Sequence, residues 1–267
     1  MHLLGFFLAA LVGISLGLIG GGGSILVVPI LVYVIGINPL LATSYSLFIV
    51  GSASLVGAFN NYRKGLVNIK TALLFGISSI TTVFLTRKII LPLIPDIIIR
   101  TNHFQLTQSA ATMILFSLLM LMASVAMIRE KKITVDPHKP APFTESRLAK
   151  LFLYGVLIGL ATGFLGAGGG FLLIPALVLI MKMPMKQAVG TSLLIIALNS
   201  LIGFIGDIGH FSIDWKFLSI ITLIAITGIF IGGFISRKIN GDKLKKAFGW
   251  FVLAMAVYII VKEVAFT

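Results

Sequence analysis

Gly20-Gly21-Gly22-Gly23-Ser24 interrupts an apolar run from Leu3 to Ile37 that would otherwise be one overlong membrane helix. Each glycine in a helix interior costs roughly 1 kcal/mol relative to alanine. Four in succession therefore predict two helical arms joined by a turn that exposes its backbone. Gly166-Ala167-Gly168-Gly169-Gly170 repeats the device inside a second apolar run, Leu151 to Met181. Interrupted helices in corresponding positions of two halves are the sequence mark of a solute site inside a membrane.

The composition agrees with a membrane setting. The 267 residues are 58% hydrophobic and only 11% charged, with a mean hydropathy of +1.11; a soluble domain is about a quarter charged. Apolar runs of about 20 residues recur, which is the length of a membrane-crossing helix. The formal charge of +13 lies between the apolar runs and not on a soluble module, so it reads as a topology determinant and not as a nucleic-acid footprint. With no cysteine, neither a disulfide nor a thiolate is available. His2, His103, His138 and His210 are too scattered to suggest a metal site, and no cofactor motif is present. The first 23 residues lack a basic leading region and a small-residue cleavage site, so they read as a membrane element rather than a signal peptide.

Working outward, Leu3–Ile19 and Ser24–Ile37 are the first pair of arms, followed by spans Leu41–Asn60, Val67–Thr86 and Gln108–Ile128. Arg87-Lys88 reads as the end of the Val67 span, and residues 91–106 as a short interfacial segment. Residues 129–150 form the only long hydrophilic stretch, a linker. The order then recurs: arms Leu151–Leu165 and Phe171–Met181, then spans Met185–Gly206, Trp215–Ser236 and Leu244–Val261. Gly228, Gly232 and Gly233 are expected to permit close packing of the Trp215 span. At a constant offset of 146, residues 11–57 match 157–203 at 17 of 47 positions, including Gly20/Gly166, Gly22/Gly168, Gly23/Gly169, Pro29/Pro175 and Ser46/Ser192. Beyond residue 75 the register reads as slipping, with Arg87-Lys88-Ile89 matching Arg237-Lys238-Ile239 at offset 150. The expected fold is an all-α polytopic membrane protein of two homologous repeats, 1–128 and 151–267. Each is a glycine-broken helix plus three transmembrane helices.

Three further features carry a family resemblance. A proline stands five residues beyond Ser24 and beyond Gly170, an Ala-x-x-x-Ser helix follows at Ala42–Ser46 and Ala188–Ser192, and the layout is duplicated. In this combination the chain resembles the TauE/SafE family of sulfite and organosulfur-anion exporters. The resemblance implies an anion permease of the bacterial inner membrane and leaves the substrate open.

Lys and Arg counts compare two topologies. If each broken helix crosses as one unit, the two faces hold 11 and 10 basic residues, which is no bias. If each is a re-entrant hairpin, the linker face gathers 16 and the other holds only Arg87, Lys88, Arg100, Lys216 and Lys262. The positive-inside rule favours the hairpins with the linker cytoplasmic. Three crossings per repeat then invert the second repeat relative to the first, and the glycine tips enter from opposite faces.

The candidate site follows from this layout. Irregular backbone at membrane depth must line a cavity or be buried in protein, and a helix N-terminus offers free N–H donors and partial positive charge to an anion. The expected binding residues are Gly21, Gly22, Gly23, Ser24, Thr43, Ser44, Ser46, Gly168, Gly169, Gly170, Thr191, Ser192 and Asn199, with no basic residue in mid-span. Asp207 and His210 are a candidate proton-coupling pair, read against a solvated loop. The expected partners are a small anionic solute and the lipid bilayer, without nucleic acid; oligomeric state stays open, a homodimer included. With no Gly-x-x-x-x-Gly-Lys-Ser/Thr loop, direct ATP use is not expected. An intramembrane hydrolase would need a nucleophile–base pair or a metal constellation, neither of which the sequence offers. A non-transporting assembly partner is the other alternative.

Overall fold

The computed structural model describes residues 2–19, 21–101, 104–129, 145–235 and 241–266. Most of the linker, residues 130–144, lies outside this set, as does the Arg237-Lys238-Ile239 triplet. Of the described residues, 85% are helical. The helices are α1 His2–Ile19, α2 Pro39–Arg63, α3 Ile69–Leu93, α4 Gln108–Arg129, α5 Glu145–Leu165, α6 Gly170–Ile180, α7 Met185–Asp207, α8 Trp215–Ile235 and α9 Gly241–Phe266. Among the described residues, five of these helices, α2, α3, α4, α7 and α8, are long and apolar enough to cross a bilayer. Large apolar side chains such as Ile77, Met122, Phe152 and Leu223 lie exposed on the outside, more apolar surface than a soluble monomer shows.

Two expectations about local structure are corrected. Arg87-Lys88 does not end the third helix. The chain passes through a π turn at Thr86–Ile90 and continues to Leu93. The interfacial segment is a hairpin, in which β1 Ile97–Thr101 pairs antiparallel with β2 Phe104–Thr107. The β-branched run Ile97-Ile98-Ile99 favours extended backbone once Pro95 has ended the helix.

Packing crosses between the halves. α1 lies on α8, and α5 lies on α3. In the first contact Gly13 meets Ala225 and Gly17 meets Ile229; in the second Gly159 meets Ser79 and Gly163 meets Thr86. Gly228 and Gly232 of α8 take Ala10, Gly13 and Ile14 at equally close range. A Cβ at any of these glycines would strike backbone or side-chain atoms, which is why small residues stand there. Gly13/Gly159 and Ala225/Ser79 are both 146 residues apart, so the packing keeps the offset of 146 past residue 75.

Directions follow from the same contacts. α2 and α7 run antiparallel: Leu47 meets Gly203, Gly51 meets Leu201 and Gly57 meets Leu193. α3 and α7 run parallel: Asn68 bonds Thr191, Ser79 bonds Asn199 and Arg87 bonds Asp207. Helix starts are fixed twice over. The Asn68 side chain accepts from Thr71 N–H and the Asp214 side chain from Phe217 N–H, each at 3.0 Å. These caps satisfy otherwise orphaned donors. The capping residues' own N–H groups donate across the halves, Asn68 to Thr191 Oγ1 at 3.0 Å and Asp214 to Tyr45 Oη at 2.7 Å.

Candidate functional site

The two interruptions adopt different backbones. Gly21–Leu26 winds as a 3-10 helix, closed by Ser24 Oγ donating to Gly21 O at 2.8 Å. A short α turn, Val27–Pro29, and a π turn, Ile30–Val34, complete the second arm. The expected open turn is thus a tightly wound segment, because glycines followed by serine can tighten to i→i+3 bonding without leaving helical space. The second interruption is a true turn. Gly166, Gly168 and Gly169 have φ of +65°, +67° and +66°, a left-handed conformation that glycine adopts without steric cost. α6 starts immediately after it, its N-cap Gly169 supplying no side chain.

The interruptions meet. A Cβ on Gly21 would collide with the Gly170 backbone, and one on Gly170 with Gly21. Gly168 lies against Val50, Ile196 and the Ser200 hydroxyl, and Gly169 against the Thr162 hydroxyl. Gly21, Gly23, Ser24, Gly168, Gly169 and Gly170 are buried. In this arrangement the two backbones close on each other.

The other expected residues, Thr43, Ser44, Ser46, Thr191, Ser192 and Asn199, are all fully buried. Thr43 Oγ1 donates to Leu40 O at 2.7 Å, and the Gly166 turn rests on its backbone. Ser46 and Ser200 are fully buried hydroxyls without a hydrogen-bond partner. Thr191 accepts from Asn68, and Ser192 Oγ donates to Val189 O at 2.9 Å. Asn199 Oδ1 accepts from Ser79 Oγ at 2.9 Å, while its Nδ2 has no partner although the residue is 0% exposed. Gly22 lies within the 3-10 segment.

Asp207 is not on a solvated loop. Its side chain is 2% exposed, and its Oδ2 accepts from Arg87 Nη1 at 2.9 Å. The same Nη1 donates to Thr43 Oγ1 at 3.1 Å. The Arg87 side chain is 0% exposed. The expectation that Arg87 ends its helix, leaving no basic residue in mid-span, is corrected in part: Arg87 is buried within the helix, six residues before its end at Leu93. Arg87 sits inside α3, next to the second glycine turn through Thr43. Ser44 neighbours the Asp207 carboxylate without reaching hydrogen-bond geometry. His210 is exposed and meets Asp207 through backbone, its N–H donating to Asp207 O at 3.0 Å. The sequence reading missed Arg87, Asn68 and Ser79. A signal for Arg87 existed: Ile89-Ile90-Leu91 beyond Arg87-Lys88 is as apolar as the helix before it. Among the described residues, no group of three His, Cys, Asp or Glu side chains could hold a metal ion.

Comparison with known proteins bears on this arrangement. The profile of the family described as "Sulfite exporter TauE/SafE" matches residues 5–259. The chain belongs to the TauE/SafE family. It is 33% identical over 254 residues to a "Probable membrane transporter protein" of Xylella fastidiosa (strain 9a5c), covering 94% of this chain and 91% of that one. It is 26% identical over 258 residues to the "Probable membrane transporter protein YjnA" of Bacillus subtilis (strain 168), covering 97% and 98%. No solved structure matches the chain. The TauE/SafE match spans both glycine interruptions and the Arg87–Asp207 pair.

Proposed function

We propose that the protein is a secondary transporter of small anions, sulfite or organosulfur compounds such as sulfonates, exporting them across a bacterial inner membrane. In this reading residues 1–128 and 151–267 are inverted repeats joined by a cytoplasmic linker, 129–150, and access alternates around the two glycine interruptions. The observation that carries it is the contact of Gly21 with the Gly170 backbone. Each interruption is non-helical or tightened backbone, each lies in its own repeat, and they touch in a buried core rather than in lipid. Family membership and the names of the relatives support transport.

The inverted arrangement has independent support. α2 and α7 hold corresponding places in the two repeats and run antiparallel. The Arg87–Asp207 pair ties the C-terminal ends of α3 and α7. Those ends share a membrane face when each broken helix returns to its starting side, and lie on opposite faces when each crosses as one unit. Charge bias favours the same hairpins.

When the repeats move apart, the site opens toward one face. The solute then meets the exposed N–H groups at the start of α6, the amides of Gly21–Gly23 and Gly168–Gly170, and the polar groups of Ser24, Thr43, Ser44, Ser46, Thr191, Ser192 and Asn199. No ATP-binding loop is present, so a gradient would drive the cycle.

Flux of sulfite or methanesulfonate in reconstituted vesicles tests the reading. Gly22→Leu and Gly168→Leu should abolish flux in protein that still purifies as a folded species; intact flux would remove the interruptions from the site. Sidedness tests the topology. The chain has no cysteine, so Asn38→Cys, Lys182→Cys and a linker reference, Thr144→Cys, can be labelled from either face. Both topologies put Asn38 opposite Thr144; inverted hairpins put Lys182 on the side of Thr144, and continuous crossings put it on the opposite side.

A further inference from the structure

We infer that the Arg87 guanidinium is the anion-binding group of this transporter and that Asp207 is a built-in competitor for it, an assignment that rests on the transport reading above. Three observations lead there. First, Arg87 uses one of its three nitrogens: Nη1 serves both Asp207 and Thr43, while Nε and Nη2 have no partner on a side chain that is 0% exposed. Buried charged donors without partners are costly, and a pair kept only for stability would be expected to use them. Second, the unused Nε–Nη2 edge is the planar fork that grips an oxyanion through two parallel N–H···O bonds. Asp207 binds Nη1 and leaves the Nε–Nη2 edge without a partner. Third, the place is made for the side chain. A Cβ on Gly206 would stand 3.1 Å from the Arg87 Cβ, so glycine there leaves the space free; the π turn Thr86–Ile90 carries Arg87, and Thr43 joins it to the Gly166 turn. Inserted π turns recur at functional sites.

The arrangement acts as a latch. Arg87 ties α3 to α7 through Asp207 and to α2 through Thr43. An oxyanion on the fork brings a second negative charge to the same cation. The two anions repel, the Nη1 bond to Asp207 weakens, and the tie among three helices loosens. Solute binding thereby favours separation of the elements that the empty pair holds closed. Lys88, His210 and Lys216 lie exposed near the same end of the helices.

The test uses the full chain in vesicles with sulfite, sulfate and methanesulfonate as probes, alongside thermal melting of each purified variant. The double variant Arg87→Gln with Asp207→Asn replaces the ion pair by a neutral amide pair of similar shape. A structural pair predicts near-wild-type melting and flux. The anion site predicts near-wild-type melting with uptake slowed at least about 30-fold, the loss expected when one side of a buried charge contact is removed. Asp207→Asn alone should lower KM by about tenfold, because the competitor is gone, and lower kcat, because the latch no longer closes. Arg87→Lys keeps the charge without the fork and should raise KM. Wild-type flux and KM in the double variant, or an unchanged KM in Asp207→Asn, overturns the assignment while leaving transport standing. A wild-type protein that moves none of the three anions overturns both.

Discussion

The α3–α7 and α2–α8 interfaces are related by the 146-residue repeat, and they differ in chemistry. Their starts are alike. Asn68 and Asp214, 146 positions apart, cap α3 and α8, and each is clasped by a hydroxyl of the other half, Thr191 or Tyr45, again 146 apart. Further along they part. Ser79 and Asn199 hydrogen-bond between α3 and α7, and their counterparts are Ala225 and Ala53. Arg87 and Asp207 form a buried ion pair, and their counterparts are Gly233 and Asn61. Duplication thus supplies a scaffold twice and a polar ladder once. The clasped caps and the packing glycines of α1 and α5, Gly13/Gly159 and Gly17/Gly163, are held in common, as a fold requires. The costly buried groups stand on one side only, where a single solute path would place them.

The sharpest break of this contrast is Arg87→Ala. It strands Asp207 in a dry core, and removing one partner of a buried pair costs about 3–5 kcal/mol. Melting in detergent should fall steeply, and a variant as stable as wild type would mean the pair is not buried as described. Next come the packing glycines, where the contrast should vanish. Gly17→Val and Gly163→Val stand at matching places, and overpacking at each should cost about 1–3 kcal/mol. Melting curves that differ widely between the two would show the scaffold to be unequal. The caps are a smaller matched pair: Asn68→Ala and Asp214→Ala should each lose about 1 kcal/mol and change flux little. The smallest effect restores the contrast. Ser79→Ala removes one hydrogen bond, worth about 1 kcal/mol, and leaves Asn199 with no partner, whereas Ala225→Gly deletes no polar contact. Flux should be lower for Ser79→Ala than for Ala225→Gly.

Much of the scaffold was legible from residues alone. The spans α2, α4, α7 and α8 fall close to their apolar runs, and the glycine interruptions sit at the stated positions. What escaped was decided by long-range partners. Arg87 next to Lys88 looks like a helix stop because the carboxylate that permits its burial is 120 residues away. Asp207 next to a Gly-His turn looks like a loop residue for the same reason. The two interruptions read as equivalent, yet one winds into a 3-10 segment and the other turns left-handed. Ser24 can close a short hydrogen bond where the second half has Gly170, and local composition does not announce that choice. For the candidate site, the sequence pointed to the glycines and hydroxyls at and after the interruptions and did not point to Arg87, because its burial depends on a distant partner.

The exchange of first helices between the halves bears on how the molecule is made. α1 emerges from the ribosome first, yet the helix that covers Gly13 and Gly17 is α8, some two hundred residues behind it. Until α8 is synthesised, that notched face has only lipid or an insertion chaperone to lie against. Assembly must therefore be completed from the far end backwards, and a chain truncated before Trp215 should linger as a substrate for membrane proteases.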